Sequence, residues 1–504
     1  MESTYFEKFR KNTIGNDIFF NTPFGKKKLL YADWIASGRL YAPIEEKMNK
    51  MIFPFCGNTH TETSVTGTYM TKAYHYAKEI IKKEVGANES DALIFVGSGM
   101  TGAINKLQRI LGLRIPEMLN NFTAQKIEID EQKKPIVFIT HMEHHSNQTS
   151  WLETFVDVEI INPCSDGLVD MAHFKTLLEE YKHREIKIAS ITSCSNVTGI
   201  TTPYHEIAKL IHQENGYCFV DFACSAPYVD INMHPEEEGA HLDAIFMSPH
   251  KFLGGPGTPG VLIFNSQLYK NQIPDQPGGG TVVFTNPWKG HYYIPNIEDR
   301  EDGGTPPFLQ GIKTALCFLL KKEMGTENML QREHQIIEKV FDAFEQIDNI
   351  EILASKHRNR VGAISFKISN LHYNLAVRLL NDHFGIQVRG GCACAGTYGH
   401  YLLNIDEENS NAIRANILNG VKETNPGWIR LSIHPTMSDE NVDEIINAII
   451  YVAQHVELLS KDYKYMAAKN EFEYCGTNEY KNECDAWLKE LYRIDNELVF
   501  EKAN

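Results

Sequence analysis

The segment Phe246-Met-Ser-Pro-His-Lys-Phe-Leu-Gly-Gly-Pro-Gly257 decides how this chain is interpreted. An apolar run typical of a buried strand ends in a serine, a histidine and a lysine, and a turn rich in glycine and proline follows. A lysine at the end of a strand, beside residues that expose their backbone, suits Schiff-base chemistry with a carbonyl group. Taken by itself, Lys251 is more often an ordinary surface lysine in a glycine-rich loop, so the interpretation depends on the rest of the chain.

Two segments upstream supply what a pyridoxal 5′-phosphate cofactor needs besides an amine. Its ring nitrogen needs an anion, and Asp221 ends an apolar run in Val220-Asp-Phe-Ala223, thirty residues before Lys251. Its phosphate needs hydroxyl and backbone donors, and Val96-Gly-Ser-Gly-Met-Thr-Gly-Ala-Ile-Asn105 predicts a strand, a glycine-rich turn and a helix start. That turn matches neither a dinucleotide fingerprint nor a P-loop. Each segment alone has an ordinary alternative, a helix-capping aspartate or a simple turn, and only the ordered set indicates the cofactor.

Short apolar runs alternate with helical stretches from about residue 65 to 265, which predicts an α/β fold with a mostly parallel sheet. After about residue 310 long helices dominate, which predicts a smaller α+β domain. The polar residues at the end fit either a docked helix or a mobile tail. The predicted strands are 92–96, 136–140, 188–192, 218–221, 244–247 and 261–264, and the predicted helices include 101–113, 203–214 and 309–344 with a break at Gly325. The predicted domains are 1–30, an N-terminal segment packing with the small domain; 31–310, the large cofactor-binding domain; 311–465, the small domain; and 466–504, a C-terminal extension.

Two further segments contain clusters of residues that can bind a cofactor or act as a nucleophile. Thr140-His-Met-Glu-His-His-Ser-Asn147 follows a strand, and its histidines are candidates either for a metal, although the spacing differs from helical metal motifs, or for stacking on a flat cofactor ring. Arg389-Gly-Gly-Cys-Ala-Cys-Ala-Gly396 places two thiols on a flexible cationic loop, where a cysteine is a candidate nucleophile. The alternative is a buried cysteine with an incidental neighbour. A zinc site is disfavoured, because no second close pair of cysteines or histidines is evident.

Composition excludes several classes of protein. The chain has 504 residues, of which 42% are hydrophobic, as in a packed globular protein rather than a disordered one. Its 49 basic and 65 acidic residues give a formal charge of −16, which argues against binding nucleic acid or an anionic membrane through the overall field. Ten cysteines without a CxxC pair do not indicate a disulfide framework. Because neither a signal peptide nor a membrane-spanning stretch is evident, we expect a cytoplasmic protein.

The ordered set of motifs resembles the class V aminotransferase superfamily of fold-type I pyridoxal-phosphate enzymes, and it is most similar to cysteine desulfurases and selenocysteine lyases. The resemblance spans roughly residues 25 to 460 and rests on the set rather than on any single motif. It implies a large domain with a mostly parallel mixed sheet flanked by helices, and a smaller α+β C-terminal domain. The motifs are Met-Glu-His-His, Ser-Asn-Val-Thr-Gly, Val-Asp-Phe-Ala, Ser-Pro-His-Lys, Gly-Gly-Gly and Arg-Gly-Gly-Cys-Ala-Cys-Ala.

The resemblance implies a set of cofactor contacts. Lys251 would carry the cofactor and move protons, Asp221 would pair with the ring nitrogen, and His144 would stack on the ring and serve in acid–base steps. Thr305 would reach the phosphate bound by the partner subunit, which implies a homodimer. The remaining implied contacts are Met100, Thr101, Asn196, Ser248 and His250.

The resemblance also implies a reaction, the desulfuration of L-cysteine to L-alanine with a persulfide left on Cys394. Arg430 would bind the substrate carboxylate as a bidentate fork, with Arg389 as a second substrate contact. Cys392 has no assigned role. The implied partners are a small amino acid substrate, a second copy of the chain and a sulfur-acceptor protein, with no nucleic acid and no membrane.

Other functions fit the same scaffold, because one fold supports many reactions. An aminotransferase, an epimerase or a C–S or C–Se lyase would use the lysine, the aspartate and the arginine but not the loop cysteine. A catalytically silent scaffold protein is a further alternative. The chain also departs from the family's pattern. Cys224 replaces a usual glutamine, Met100 replaces a usual threonine, a polar insertion covers about 404–426, and residues 114–134 form a surface excursion.

Overall fold

The computed structural model describes residues 4–123, 128–476 and 483–493, in which strands and helices alternate. The helices are α1 Glu7–Lys11, α2 Ala42–Lys47, α3 Val65–Glu84, α4 Gly99–Ile110, α5 His145–Leu152, α6 Met171–Glu180, α7 Tyr204–Gln213, α8 Ile297–Arg300, α9 Phe308–Met324, α10 Thr326–Phe344, α11 Tyr373–Leu379, α12 Gly396–Leu402, α13 Glu407–Leu418, α14 Asp439–Gln454, α15 Val456–Ser460 and α16 Glu483–Leu491. The strands are β1 Phe19–Thr22, β2 Gly25–Lys28, β3 Leu30–Tyr31, β4 Asp91–Val96, β5 Ile136–Thr140, β6 Asp157–Ile161, β7 Lys187–Thr192, β8 Tyr217–Asp221, β9 Ala244–Met247, β10 Gly260–Asn265, β11 Val282–Thr285, β12 His291–Tyr293, β13 Ile350–Ile352, β14 Ala363–Ile368, β15 Ile386–Gln387, β16 Arg389–Gly391, β17 Trp428–Ser432, β18 Tyr463–Met466 and β19 Glu471–Tyr474.

A seven-stranded sheet in the order β4-β10-β9-β8-β7-β5-β6 forms the centre of the molecule. The strands from β9 to β6 run parallel, and β10 runs antiparallel to β9 and β4. Strands β5, β7 and β9 are buried along their whole length, as expected of parallel strands that are covered on both faces. All six predicted strands are present, and the mostly parallel mixed sheet confirms the predicted fold class.

The seventh strand, β6, lies at the edge of this sheet and was not predicted. Its sequence Asp157-Val-Glu-Ile-Ile161 carries two acidic residues and is only partly buried. Charged residues on an edge strand discourage pairing with other chains, and they also remove the apolar run by which a strand is recognised.

A second, four-stranded antiparallel sheet has the order β13-β14-β17-β16. Residues of α10, α11 and α14 pack with it in a separate hydrophobic cluster, whereas α9 packs with the cluster of the large sheet. Gly325, in a left-handed backbone conformation with φ of +73°, separates α9 from α10. The predicted break in the long helical stretch is therefore present.

Both ends of the described chain contact the second cluster. Near the N-terminus, β3 pairs in parallel with β15, and the Thr22 hydroxyl donates to the Asp382 carbonyl over 2.7 Å. Near the C-terminus, β18 and β19 form a hairpin, and the Tyr463 hydroxyl donates to the Asp382 carboxylate over 3.0 Å. The hairpin is neither the docked helix nor the tail considered from the sequence, and α16 follows it.

The structure describes the whole of the insertion at 404–426 but only part of the excursion at 114–134. In 404–426, helix α13 has no buried residue. The excursion at 114–134 contains a short turn of helix at Glu117–Asn121, while residues 124–127 lie outside the described residues. Among the described helices, none has both the length and the apolar character that crossing a membrane requires.

Candidate active site

The parallel strands end on one edge of the large sheet, and a cavity of about 230 Å³ opens there. Because side chains that follow neighbouring parallel strands meet at this edge, residues far apart in sequence line one space. Eleven of the predicted site residues line it: Met100, Thr101, His144, Asn196, Asp221, Ser248, His250, Lys251, Arg389, Cys394 and Arg430.

Lys251 ends a short helical turn that follows β9. Its backbone N–H donates to the Ser248 carbonyl over 3.0 Å, and the adjacent His250 carbonyl accepts from the N–H of Gly38 over 2.9 Å. Burial lowers the pKa of the Lys251 amine. A larger share of the amine is then unprotonated near neutral pH, which is the nucleophilic form.

Asp221 is the last residue of β8 and is buried. One carboxylate oxygen accepts the backbone N–H of Ala223 over 2.8 Å. No hydrogen bond from the described part of the chain reaches its other oxygen, and the residue lines the cavity. Burial raises the pKa of Asp221 to about 6, so the carboxylate gains from a cationic or N–H partner placed in the cavity.

The N-terminus of α4 opens into the same cavity. Ser98 and Gly99 have left-handed backbone, with φ of +65° and +60°, and the Ser98 side chain does not cap the helix. The Ser248 hydroxyl accepts from the N–H of Met100 over 2.8 Å, and the hydroxyls of Thr101 and Ser146 lie 2.7 Å apart. Free backbone N–H groups and hydroxyls at the start of a twelve-residue helix form a site for an anion such as phosphate.

His144 precedes α5 and faces the cavity. Its Nδ1 accepts from the N–H of Ser146 over 3.1 Å, so the neutral ring carries its proton on Nε2. Burial, with the nearby charges of Lys251 and Arg430, lowers the pKa of His144 to about 4. The imidazole is therefore neutral at physiological pH and presents a flat face, as stacking on an aromatic ring requires.

The neighbouring polar residues of the Met-Glu-His-His segment have other partners. Glu143 accepts from the Thr140 hydroxyl over 2.6 Å and from the Asn147 amide over 2.7 Å. His141 Nε2 lies 3.1 Å from the Gly167 carbonyl. His145 Nε2 accepts from the N–H of Gly396 over 2.9 Å. Because each of these side chains has a different partner, they form structural contacts around His144 and do not converge on one metal ion.

Two arginines from neighbouring strands meet at one carboxylate. Arg430 on β17 donates from NH2 to Asp33 Oδ1 over 2.8 Å, and Arg389 on β16 donates from Nε to Asp33 Oδ2 over 3.0 Å. Arg430 NH1 also donates to the Asn196 carbonyl over 3.1 Å. One carboxylate between two guanidinium groups leaves one positive charge in excess, which suits an anionic substrate group. Asp33 was missed by the sequence analysis, because it belongs to no recognisable motif.

The cysteine loop is attached to the large domain through its backbone. The Asn196 amide donates to the Ala393 carbonyl over 2.6 Å, and the N–H of His145 donates to the Cys394 carbonyl over 2.8 Å. Ala393 and Cys394 both have left-handed backbone, with φ of +50° and +57°. The Cys394 side chain is exposed and lines the cavity, whereas Cys392 is exposed and lies outside it.

Two buried thiols that the sequence analysis did not place together complete the floor of the cavity. Cys194 Sγ and Cys224 Sγ are 3.9 Å apart, and both line the cavity. The contact with Cys194 and the charge of Lys251 lower the pKa of Cys224. A soft, polarisable group therefore occupies the position at which the resemblance implied a glutamine.

Thr305 is the one predicted site residue that does not line this cavity. Its side chain is exposed, and its hydroxyl donates to the Asn58 amide oxygen over 3.4 Å. None of residues 404–426 lines the cavity either.

Comparisons with known proteins identify the family to which this sequence is similar. The family model described as Aminotransferase class-V matches residues 30–445. A probable cysteine desulfurase from Halalkalibacterium halodurans is 26% identical over 375 residues, which cover 73% of this chain and 84% of the relative. A probable cysteine desulfurase from Staphylococcus epidermidis is 25% identical over 430 residues, which cover 84% of this chain and 92% of the relative.

Solved structures share the fold. The apo structure of a cysteine desulfurase from Thermococcus onnurineus has a TM-score of 0.69 and 20% identity, covering 89% of this chain and 98% of that one. The cysteine desulfurase CsdA from Escherichia coli has a TM-score of 0.65 and 19% identity, covering 85% of this chain and 95% of that one.

Proposed function

Because this chain belongs to the aminotransferase class-V family, whose members depend on pyridoxal phosphate, we propose that its cavity binds this cofactor and that the protein converts a small amino acid. The donor set fits the group. Lys251 offers an amine with a lowered pKa, Asp221 offers a carboxylate oxygen, and the start of α4 offers an anion site. When bound, the cofactor supplies an electron sink for the α-carbon of an amino acid.

We propose cysteine desulfuration as the reaction, and one observation carries it. The exposed thiol of Cys394 lines the same cavity as the Lys251 amine and the Arg430 guanidinium. An aminotransferase or an epimerase needs the lysine and the arginine but has no use for a nucleophilic thiol at that place. The sequence relatives, which are named cysteine desulfurases, support the same choice.

Each residue has a part in the proposed reaction. The guanidinium of Arg430, held by Asp33, binds the substrate carboxylate and orients the side chain of the substrate toward Cys394. Lys251 Nζ takes the proton from the α-carbon. The Cys394 thiolate then attacks the sulfur of the substrate, an S–S bond forms, and the C–S bond breaks. In sum, cysteine and one enzyme thiol give alanine and one enzyme persulfide, so a neutral sulfur atom is transferred.

The test measures alanine and sulfide released from L-cysteine by protein loaded with the cofactor, in the presence of a reducing thiol. Wild type is expected to release the two products in equal amounts. Cys394→Ala should lower both by about 100-fold or more while the cofactor absorbance remains. Cys392→Ala is the matched control, because it removes an exposed thiol two positions away that does not line the cavity, and its activity should stay close to wild type.

Other outcomes separate the alternatives. If Cys394→Ala forms alanine as fast as wild type, the desulfurase proposal is wrong. If wild type forms neither product but an amino acid changes the cofactor absorbance, the protein catalyses another reaction of its family. Lys251→Ala should lose the covalently held cofactor, as judged by absorbance after gel filtration. A wild type that retains no cofactor would instead support a silent scaffold.

We also propose that the protein is a homodimer. Thr305 lies away from the cavity of its own chain, as expected of a residue that serves a partner's site. The nearby β11–β12 hairpin exposes large apolar side chains, including Phe284, Trp288 and Tyr292, with 50%, 83% and 71% of their surface accessible. Apolar side chains this exposed are typical of a surface that a second subunit covers.

A further inference from the structure

A second cluster of side chains, of types that bind metal ions, lies at the N-terminal ends of the parallel strands, whereas the cavity lies at their C-terminal ends. Asp243 immediately precedes β9, whereas Ser248 of the proposed cofactor site immediately follows it. His212 lies in the last turn of α7, and His241 lies in the loop that leads to Asp243. We propose that His212, His241 and Asp243 bind a divalent transition-metal ion, and that the ion is zinc, whose usual ligands include imidazole nitrogen and carboxylate oxygen.

The donor atoms are close enough to share one ion. One ligand atom from each of the three residues lies within 4.8 Å of the other two. His212 Nε2 is 2.8 Å from Asp243 Oδ2, and His241 Nε2 is 3.8 Å from Asp243 Oδ1. Donors around a tetrahedral zinc ion at about 2.0–2.1 Å from the metal are about 3.3 Å apart. Binding therefore needs the His241 ring to turn toward His212 Nε2 and Asp243, and this side chain is 42% exposed, which leaves it room to turn.

Two of the three ligands are held in place by hydrogen bonds to groups outside the cluster. His212 Nδ1 lies 2.6 Å from the Gly239 carbonyl, and Asp243 Oδ2 accepts the N–H of Cys218 over 2.8 Å. A carbonyl that accepts from one nitrogen of an imidazole places the lone pair on the other nitrogen. In zinc proteins the same outer contact orients a ligating histidine.

This orientation leaves a place for a positive charge. His212 Nε2, on the side of the ring away from the Gly239 carbonyl, lies only 2.8 Å from a carboxylate oxygen of Asp243. Two acceptors at that distance need a proton or a metal ion between them. A metal ion satisfies both, and it also takes the lone pair of His241 once that ring turns out of its stack on His212, in which the two rings are parallel within 9° and 4.0 Å apart.

The surroundings favour a cation as well. The loop before His241 contains the exposed run Glu236-Glu-Glu238, which makes the local field negative. A third imidazole, His234, stacks parallel to His241 at 6.4 Å, but its Nε2 is already 2.7 Å from the carboxylate of Asp91. Three protein ligands then leave one coordination position for water. A bound ion would join α7, the 239–243 loop and the start of β9.

The test is zinc titration by calorimetry of cofactor-loaded, untagged full-length protein whose exposed thiols have been alkylated. Wild type is expected to bind one ion per chain with a dissociation constant of about 10 μM or below, and zinc should raise its melting temperature. His241→Gln should weaken binding at least about tenfold and abolish the rise in melting temperature. His241 is partly exposed and remote from the cavity, so the variant should fold and, when assayed before alkylation, keep its desulfurase activity.

The matched control is His75→Gln, which removes an exposed histidine from α3. It should bind zinc like wild type. Equal zinc binding by wild type and His241→Gln would overturn the proposal. So would a wild type that binds no zinc at a concentration 100-fold above the expected dissociation constant of about 10 μM. Cobalt(II) gives a further readout, because a spectrum with sulfur-to-metal charge transfer would place the ion on thiols and would also overturn it.

Discussion

At the scale of single residues, Asp33 determines how the two site arginines are used. Each of its carboxylate oxygens binds a different guanidinium, so it holds Arg389 and Arg430 side by side although their charges repel. Arg430 is buried, and its Nε has no hydrogen-bond partner among the described residues. The Arg430 guanidinium is therefore held in place by Asp33 and still has an N–H group that can donate to a substrate. Asp33 is a positioning residue for the proposed carboxylate site.

Asp33→Asn should raise the KM for L-cysteine about tenfold and change kcat much less. A hydrogen bond between charged groups contributes about 1.5–3 kcal/mol, and about 1.4 kcal/mol corresponds to a factor of ten. Steady-state kinetics on cofactor-loaded enzyme measures both constants. Asp17→Asn, at an exposed aspartate paired with Lys28, is the control and should leave KM unchanged. A proportional loss of kcat with constant KM would contradict a role in substrate positioning.

The residues of the candidate site were predictable where they follow core strands. Asp221, Ser248 and Lys251 come directly after apolar runs, so a local pattern marks them. Asp33 carries no such signal, because it reaches the site through the N-terminal segment and lies 356 residues before Arg389 in the chain. Contacts of this range depend on the tertiary fold and leave no local mark on the sequence.

At the scale of elements, burial on both faces explains which strands were predicted. Strands β5 and β9 are almost wholly apolar and β7 carries Ile188, Ala189 and Ile191, whereas β6 at the sheet edge contains two acids. The hairpins β11–β12 and β18–β19 were missed for a related reason. Their residues are mostly exposed or half-buried, and each strand has only three or four residues, so even the alternation in Tyr463–Met466 and Glu471–Tyr474 is too short to indicate a strand reliably.

Helix α10 contains a buried acid whose titration should be measurable. Glu333 is fully buried, and its Oε2 accepts the N–H of Gly362 over 3.3 Å, while Oε1 has no partner among the described residues. Burial raises the pKa of Glu333 to about 8. The folded protein therefore keeps this proton while the unfolded chain loses it above pH 4.5, so the contribution of Glu333 to stability falls as the pH rises toward 8.

Glu333→Gln removes this titration. The stability of the variant relative to wild type should increase as the pH rises from 5 to 8, with a slope of up to about 1.4 kcal/mol per pH unit. Urea unfolding at both pH values measures the difference. Glu327→Gln, at an exposed position on the same helix, should show the same difference from wild type at both pH values. A pH-independent difference for Glu333→Gln would show that the carboxylate is ionised in the folded protein.

At the scale of the whole molecule, the exposed hairpin makes the proposed dimer testable. Trp288→Asp places a charge where 83% of an indole is accessible in the single chain. If a second subunit covers this surface, the charge is buried on association, and the variant should sediment as a monomer at concentrations where wild type is dimeric. It should also retain less cofactor after gel filtration, because Thr305 would no longer reach a partner's site.

Trp487→Asp is the matched control, because it changes an equally prominent tryptophan, 61% exposed, on α16. Sedimentation velocity should find this variant dimeric like wild type. A Trp288→Asp variant that remains dimeric would place the subunit interface on another surface.

The parallel pair β3–β15 also has a consequence for how the chain is made. Leu30 pairs with Ile386, and the residues that precede Leu30 include Phe6 and Phe9, which are fully buried in the finished protein. At about 5–20 residues per second, a ribosome needs about 20 to 70 seconds to synthesise the residues between the two strands. During that interval a nascent chain that has already formed its large sheet can bury Phe6 and Phe9 in the cluster of that sheet, but it has no strand with which Leu30 and Tyr31 can pair. We therefore expect ribosome-bound chains stalled before residue 386 to be cut by protease near residues 20–30 and released chains to resist, because synthesis of β15 supplies the strand that protects this segment.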